Sequence, residues 1–174
     1  MAKRAQTDVA VLGALSVEAM TGYQVRQAIA HVLGHFWHES FGQIYPTLAD
    51  LEDRGLVGKD VIGRSSIFRI TAAGRRELRA RLRERPDPQQ PRNGMLLRVF
   101  FGASLGAEEI ARLLDDTEAN ATDRLATLAS VRAEIGADPL STQHGKYWLA
   151  TVSAGEHSAR AQLAWVAETR AALL

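Results

Sequence analysis

Apolar residues recur at three-and-four spacing along most of this chain. They alternate with polar residues in only two short runs, which predicts helices around one small hairpin. The first helix is read over 8–17, opening at Thr7 or Asp8. A second starts at Thr21, where Thr21 and Gln24 have the spacing of a capping box, and runs to about Leu33. Val25 and Ile29 face inward there, with Val32 or Leu33 extending the stripe. The third stretch, SFGQIYPTLADLEDRGLV (40–57), carries Ile44, Leu48 and Leu51 at i, i+4 and i+7. Ser40 and Gln43 form an S-x-x-Q box at its start. Gly55 stands where a left-handed residue would close it, with Leu56 folding back onto the apolar face. Pro46 is the anomaly, because it lacks an N–H and disfavours helical backbone at Tyr45. The front of this helix therefore has an unusual local shape, with Ser40, Gln43 and Thr47 polar and uncharged on another side. Extended pieces follow at 56–61 and 66–70, joined by a turn at 62–65. Phe68 and Ile70 alternate with Ile67 and Arg69. Thr71 caps a fourth helix, AAGRRELRARLRER.

Residues 85–94 hold three of the five prolines and form a linker. Beyond it the chain is rich in Ala and Leu. A short helix is predicted over 95–102. A long one covers about 107–135, with Ile110, Leu114, Ala121, Leu125, Leu128 and Ile135 on one side. A last one covers about 141–173, with Trp148, Val152, Ala159, Leu163, Val166 and Leu173 in register. The division is thus 1–84, a linker over 85–94, and 95–174. Three helices followed by a hairpin make a winged helix-turn-helix domain, whose third helix enters the DNA major groove. The fold class is mainly α. The two long stripes find no cover on so small a domain, so a second subunit is expected to provide it. Leu114, Leu125, Leu128, Trp148, Val152, Leu163 and Val166 are the expected dimerisation residues.

Charge adds direction. The net charge of +1 divides unevenly: residues 1–92 have 14 Lys and Arg against 10 Asp and Glu, a net of +4, and residues 93–174 have 7 against 10, a net of −3. Only the first half is suited to a polyanion. The six arginines of the fourth helix spread around it among Glu77 and Glu84, as on a solvated face. The chain has no cysteine, which removes disulfides and cysteine-based metal sites and fits a cytoplasmic location. The apolar run VAVLGALSV (9–17) is flanked by Asp8 and Glu18 and does not read as a signal peptide, and no run is long enough to span a bilayer. There is no G-x-S-x-G and no phosphate loop, so neither an enzyme nor a cofactor is expected.

The stretches VLGALS, MTGYQVRQAI and FWHESFGQIYPTLADLEDRGLV, followed by FRITAAGRREL, resemble the PadR-like transcriptional regulators. The family pattern is close to S-x-G-Q-I-Y-P-x-L-x-x-L-E-x-x-G-L-V, then Y-x-L-T-x-x-G. LLRVFFG and the final helix are similar to the helical C-terminal dimerisation region of longer members. The resemblance implies a homodimer that binds a pseudo-palindromic double-stranded operator, usually a repressor, often released by a small effector. By motif match its DNA-facing positions fall on Gly22, Tyr23, Ser40, Gln43, Tyr45, Pro46 and Thr47. Gln43 can read a base edge, and the hydroxyls of Tyr23, Ser40, Tyr45 and Thr47 can donate to phosphates. Two plainer readings stay open: Ser40 and Gln43 acting as caps alone, and Tyr45 packing under the wing. The wing departs from the family. Gly63, Arg64 and Ser65 stand where Gly-Arg-Pro and a further cation are usual. Arg64, with Lys59 behind it, is either the wing's DNA contact or a solvated turn residue.

His31, His35 and His38 raise the alternative of a metal-responsive sensor, although no H-E-x-x-H completes a site. Trp37 and Trp148 are candidates for an effector pocket, against the simpler reading that they fill helix packing. A helical dimer that binds small molecules, with weak or vestigial DNA binding, is the other alternative.

Overall fold

The computed structural model describes residues 3–34, 36, 41–63, 65–86, 93–137 and 141–174. The chain forms two compact units, Met1–Pro88 and Gln89–Leu174.

In the first unit, α1 (Lys3–Val17) starts well before the expected Thr7 or Asp8. Lys3, Arg4, Ala5 and Gln6 are good helix formers and carry the helix back. Thr7 and Asp8 are buried inside it rather than capping it. Asp8 accepts from Arg54 Nη1 at 2.9 Å, and the same guanidinium donates to Asp50 at 2.8 Å. These bonds, the one to Asp8 first, raise the Arg54 pKa and tie α1 to the end of α3.

A short strand, β1 (Met20–Thr21), precedes α2 (Gly22–Ala28) and was not foreseen. The capping box forms as expected: the Gln24 N–H donates to Thr21 Oγ1 at 3.2 Å, and the Thr21 N–H donates to Gln24 Oε1 at 2.8 Å. The helix continues as a wider π turn over Ile29–Leu33. Val25 and Ile29 enter the core with Val11, Leu12, Leu15, Leu48 and Leu51.

The Pro46 anomaly resolves in the third helix. A 3-10 turn at Phe41–Gln43 leads into α3, which begins only at Ile44 and ends at Asp53. Pro46 is then the third helical residue, in the first turn, where backbone N–H groups have no intrahelical partner. Its missing N–H deprives the helix of nothing. Gln43 makes no capping bond through its side chain, and the Ser40 half of the predicted box lies outside the described residues. The other end closes as predicted. Gly55 has φ +67°, its N–H reaches Glu52 O at 2.8 Å, and the Leu56 N–H reaches Leu51 O at 2.9 Å. This is the paired bonding of a Schellman motif.

β2 (Val57–Ile62) and β3 (Ser65–Ile70) pair antiparallel, with Ile62 opposite Ser65 at the tip. β1 adds to the far edge of β3, giving the order β1-β3-β2. Phe68 and Ile70 point inward, as their alternation requires. Thr71 caps α4 (Ala72–Arg83) by accepting from the Gly74 N–H at 3.0 Å.

In the second unit, α5 (Gly94–Phe100) is capped by Asn93, whose Oδ1 accepts from Met95 and Leu96. α6 (Ala107–Ala137) and α7 (Ser141–Leu173) pair along their length. The two stripes bury each other. One cluster joins Leu128, Val131, Ile135 and Val152 under Trp148 and Leu149, and a second joins Ile110, Leu114 and Val166 with Met95 and Trp165. The expected dimerisation residues divide in this packing. Leu114, Leu128, Val152 and Val166 are fully buried within one chain, each contributing about 1.5–3 kcal/mol there. Leu125, Trp148 and Leu163 are only partly covered, and Leu173 is half-exposed in the last turn. Ion pairs close the edges. Arg132 holds Glu156 in a two-pronged bond at 2.9 and 3.0 Å, which lowers the Glu156 pKa. Arg170 reaches Asp115 at 2.6 Å and Glu118 at 2.8 Å.

Candidate nucleic-acid interface

The inward face of α3 is Ile44, Thr47, Leu48 and Leu51. Opposite it, the first turns expose Gly42, Gln43, Tyr45, Pro46 and Ala49, none of them charged. Acidic residues begin only afterwards, at Asp50, Glu52 and Asp53. The tip of the helix therefore presents a neutral surface, and its far half a negative one.

The predicted residues divide on this surface. Gln43 is exposed at the junction of turn and helix, and Tyr45 is 53% exposed. Thr47 is a correction. It is only 5% exposed, because it lies three residues after Ile44 and four before Leu51, on the inward stripe. Gly22 is buried at the start of α2, directly beneath the Tyr45 ring: a Cβ at Gly22 would stand 2.7 Å from Tyr45 Cε1. Glycine thus lets the ring lie on α2. Tyr23 is 58% exposed, and its hydroxyl accepts from Gln27 Nε2 at 2.6 Å. With that lone pair used, the hydroxyl proton is free to point outward to an acceptor. Gln27 and Ala49 were missed by sequence reasoning. The i, i+4 spacing of Gln27 after Tyr23 is the signal that could have found the first.

On the wing, Lys59 Nζ lies 3.8 Å from Glu52 and 5.8 Å from the centre of the Phe68 ring. Arg69 pairs with Asp60. Both described cations of the hairpin are thus partnered within the unit, while Val61 and Ile62 are exposed near its tip. Ser40 and Arg64 lie outside the described residues, as do Trp37, His35 and His38. His31 is exposed, and no group of potential metal ligands forms among the described residues. Trp148 is half-buried and stacked on His144, with ring centres 5.5 Å apart.

Comparison with known proteins agrees with this arrangement. Residues 11–80 match the model of the Transcriptional regulator PadR-like family, and residues 91–173 match the Virulence activator alpha C-term model. The chain is 29% identical over 113 residues to the negative transcriptional regulator PadR of Bacillus subtilis, a match covering 62% of this chain and 62% of that protein's length. A PadR-like transcriptional regulator from Bacillus cereus superposes with a TM-score of 0.81 at 25% identity, covering 96% of this chain and 97% of the other. B. subtilis PadR shares the fold in its complex with operator DNA (TM-score 0.79, 24% identity, covering 94% and 96%). It does so as well with p-coumaric acid bound (TM-score 0.80, 24% identity, covering 95% and 97%). Among the described residues no helix is long and apolar enough to cross a membrane. Over residues 11–80, which hold α3 and the wing, this chain carries a domain that matches the PadR-like family of transcriptional regulators.

Proposed function

We propose that the protein is a homodimeric, sequence-specific repressor of transcription that binds a pseudo-palindromic operator in the cytoplasm and is released by a small effector. The observation that carries this reading is the uncharged, exposed tip of α3. A helix end free of carboxylates can enter the major groove and face base edges, whereas its acidic far half is repelled by phosphates. Gln43 reads a base, and Tyr45 and Tyr23 donate to the backbone on either side. Arg64, between Gly63 and Ser65, is the wing's DNA contact. Lys59 is a lesser one, because Glu52 already holds it. The operator complex and the p-coumaric acid complex of B. subtilis PadR support DNA and a small effector as the partners. Trp148 with its stacked His144 is the candidate effector contact among the described residues. Selection of bound fragments from the host genome tests the reading. A few enriched fragments with half-sites about one helical turn apart, roughly 34–36 Å, are expected. Recovery in proportion to input would overturn it.

Gly22 serves the interface indirectly. In Gly22→Ala the new Cβ meets the far end of a side chain, so the Tyr45 ring swings away and the fold persists. Operator affinity is expected to fall about fivefold, the worth of one displaced hydrogen-bonding group. Fluorescence anisotropy checks this, and unchanged affinity would mean that the Tyr45 position is immaterial.

The second copy of the chain seats on α5. Leu96, Leu97 and Phe100 share a face there, continued by Phe101 and Leu105, and Phe100 is 81% exposed. Phe100 and Phe101 meet edge to face at 5.0 Å. A patch of this kind on a soluble chain marks a contact surface. Phe100→Asp is expected to weaken dimerisation about tenfold or more by placing a carboxylate in an apolar contact. Sedimentation at matched concentrations reads the change; an undiminished dimer places the seam elsewhere.

A further inference from the structure

We infer that Ala49, together with Pro46, selects thymine methyl groups beside the base read by Gln43, so that each operator half-site holds a thymine at the end of the α3 footprint. This rests on the function proposed above. Gln43, at the entry to α3, and Pro46 and Ala49 within it follow one another at three-residue intervals and are all exposed. At about 1.5 Å per residue they stand roughly 4.5 Å apart along the helix, close to the roughly 3.4 Å step between bases. Thr47, the only aliphatic hydroxyl in α3, is turned into the core. Polar contact by α3 and its preceding turn is left to Gln43 on a base and Tyr45 on the backbone, and the remaining contact surface is apolar. The apolar group that the major groove displays is the thymine C5 methyl. The footprint stops at Ala49, because Asp50 and Asp53 follow at once and phosphates disfavour their approach.

The test uses the full chain and the duplex enriched from the genome, with each thymine replaced singly by deoxyuridine. The parent protein is expected to lose about threefold in affinity at one or more positions, the value of one apolar contact of methyl size. Ala49→Gly, with its folding checked by thermal melting, is expected to be indifferent to the replacement at one of those positions. Neutral replacements throughout in the parent overturn the inference without using the variant, as does equal sensitivity in both proteins. Failure to bind any duplex selectively overturns the proposed function itself, and this inference with it.

Discussion

The Gly74→Ala variant is expected to melt roughly 10 °C below the parent in its winged unit. Gly74 sits in the first turn of α4 against the start of β2. A Cβ there would stand 2.1 Å from the Leu56 carbonyl oxygen and 2.9 Å from Ile70 Cγ1. The oxygen cannot move aside cheaply. It already accepts from the Thr71 N–H at 3.0 Å, and the Thr71 hydroxyl that caps α4 lies 3.1 Å from it and 2.8 Å from Gly55 O. Intrinsic helix preference favours alanine by about 1 kcal/mol. Overpacking against fixed backbone costs about 3 kcal/mol, the upper part of its range, and so wins by about 2 kcal/mol. For a unit of this size each kcal/mol is worth about 4–8 °C. Thermal melting followed by circular dichroism measures the shift, and an unchanged midpoint would mean that α4 and β2 do not approach so closely.

The second large effect is on specificity. Gln43→Ala is expected to weaken operator binding by about thirtyfold while leaving a scrambled duplex nearly unaffected. A side-chain amide placed on a base edge is worth about 1–3 kcal/mol of discrimination, and Gln43 makes no internal cap that would compete for it. Arg64→Ala is expected to do the opposite. It should weaken both duplexes by a similar factor and lower the salt slope by about one, as loss of a phosphate contact does. Because Lys59 is already paired with Glu52 of α3 and Arg69 with Asp60, little else on the wing replaces that charge. Titration of each variant against both duplexes separates the two roles. Equal losses on operator and scrambled DNA for Gln43→Ala would remove its base-reading role.

Much of this arrangement was legible in the sequence, for local reasons. Thr21, Gly55 and Thr71 each mark an element end through bonding that involves only near neighbours, and each forms as its spacing predicts. β1 was not legible, because two residues show no alternation and its pairing with Phe68 and Ile67 is long-range. Thr47 misled because polarity placed it outward, while its position between Ile44 and Leu51 carries it inward. The apolar stripes of α6 and α7 were correctly found. Their partner was not, since periodicity says which face is buried and not against what. Leu114 and Val166 find each other within one chain, while the exposed face of α5, from Leu96 to Phe101, was likened to a dimerisation region but supplied none of the named dimerisation residues. At the interface, the G-Q-I-Y-P run located the tip of α3, but Ala49, three residues beyond it, stayed hidden, since nothing in an alanine announces a contact.

The most direct measurement is an equilibrium titration of the full chain with an enriched genomic fragment and with the same bases scrambled, at two salt concentrations. A neutral helix tip reading bases predicts a preference of at least about a thousandfold for the intact fragment, retained at both salts. Equal affinity for the two duplexes, falling together as salt rises, would mean that charge alone holds the DNA and that the tip of α3 reads nothing.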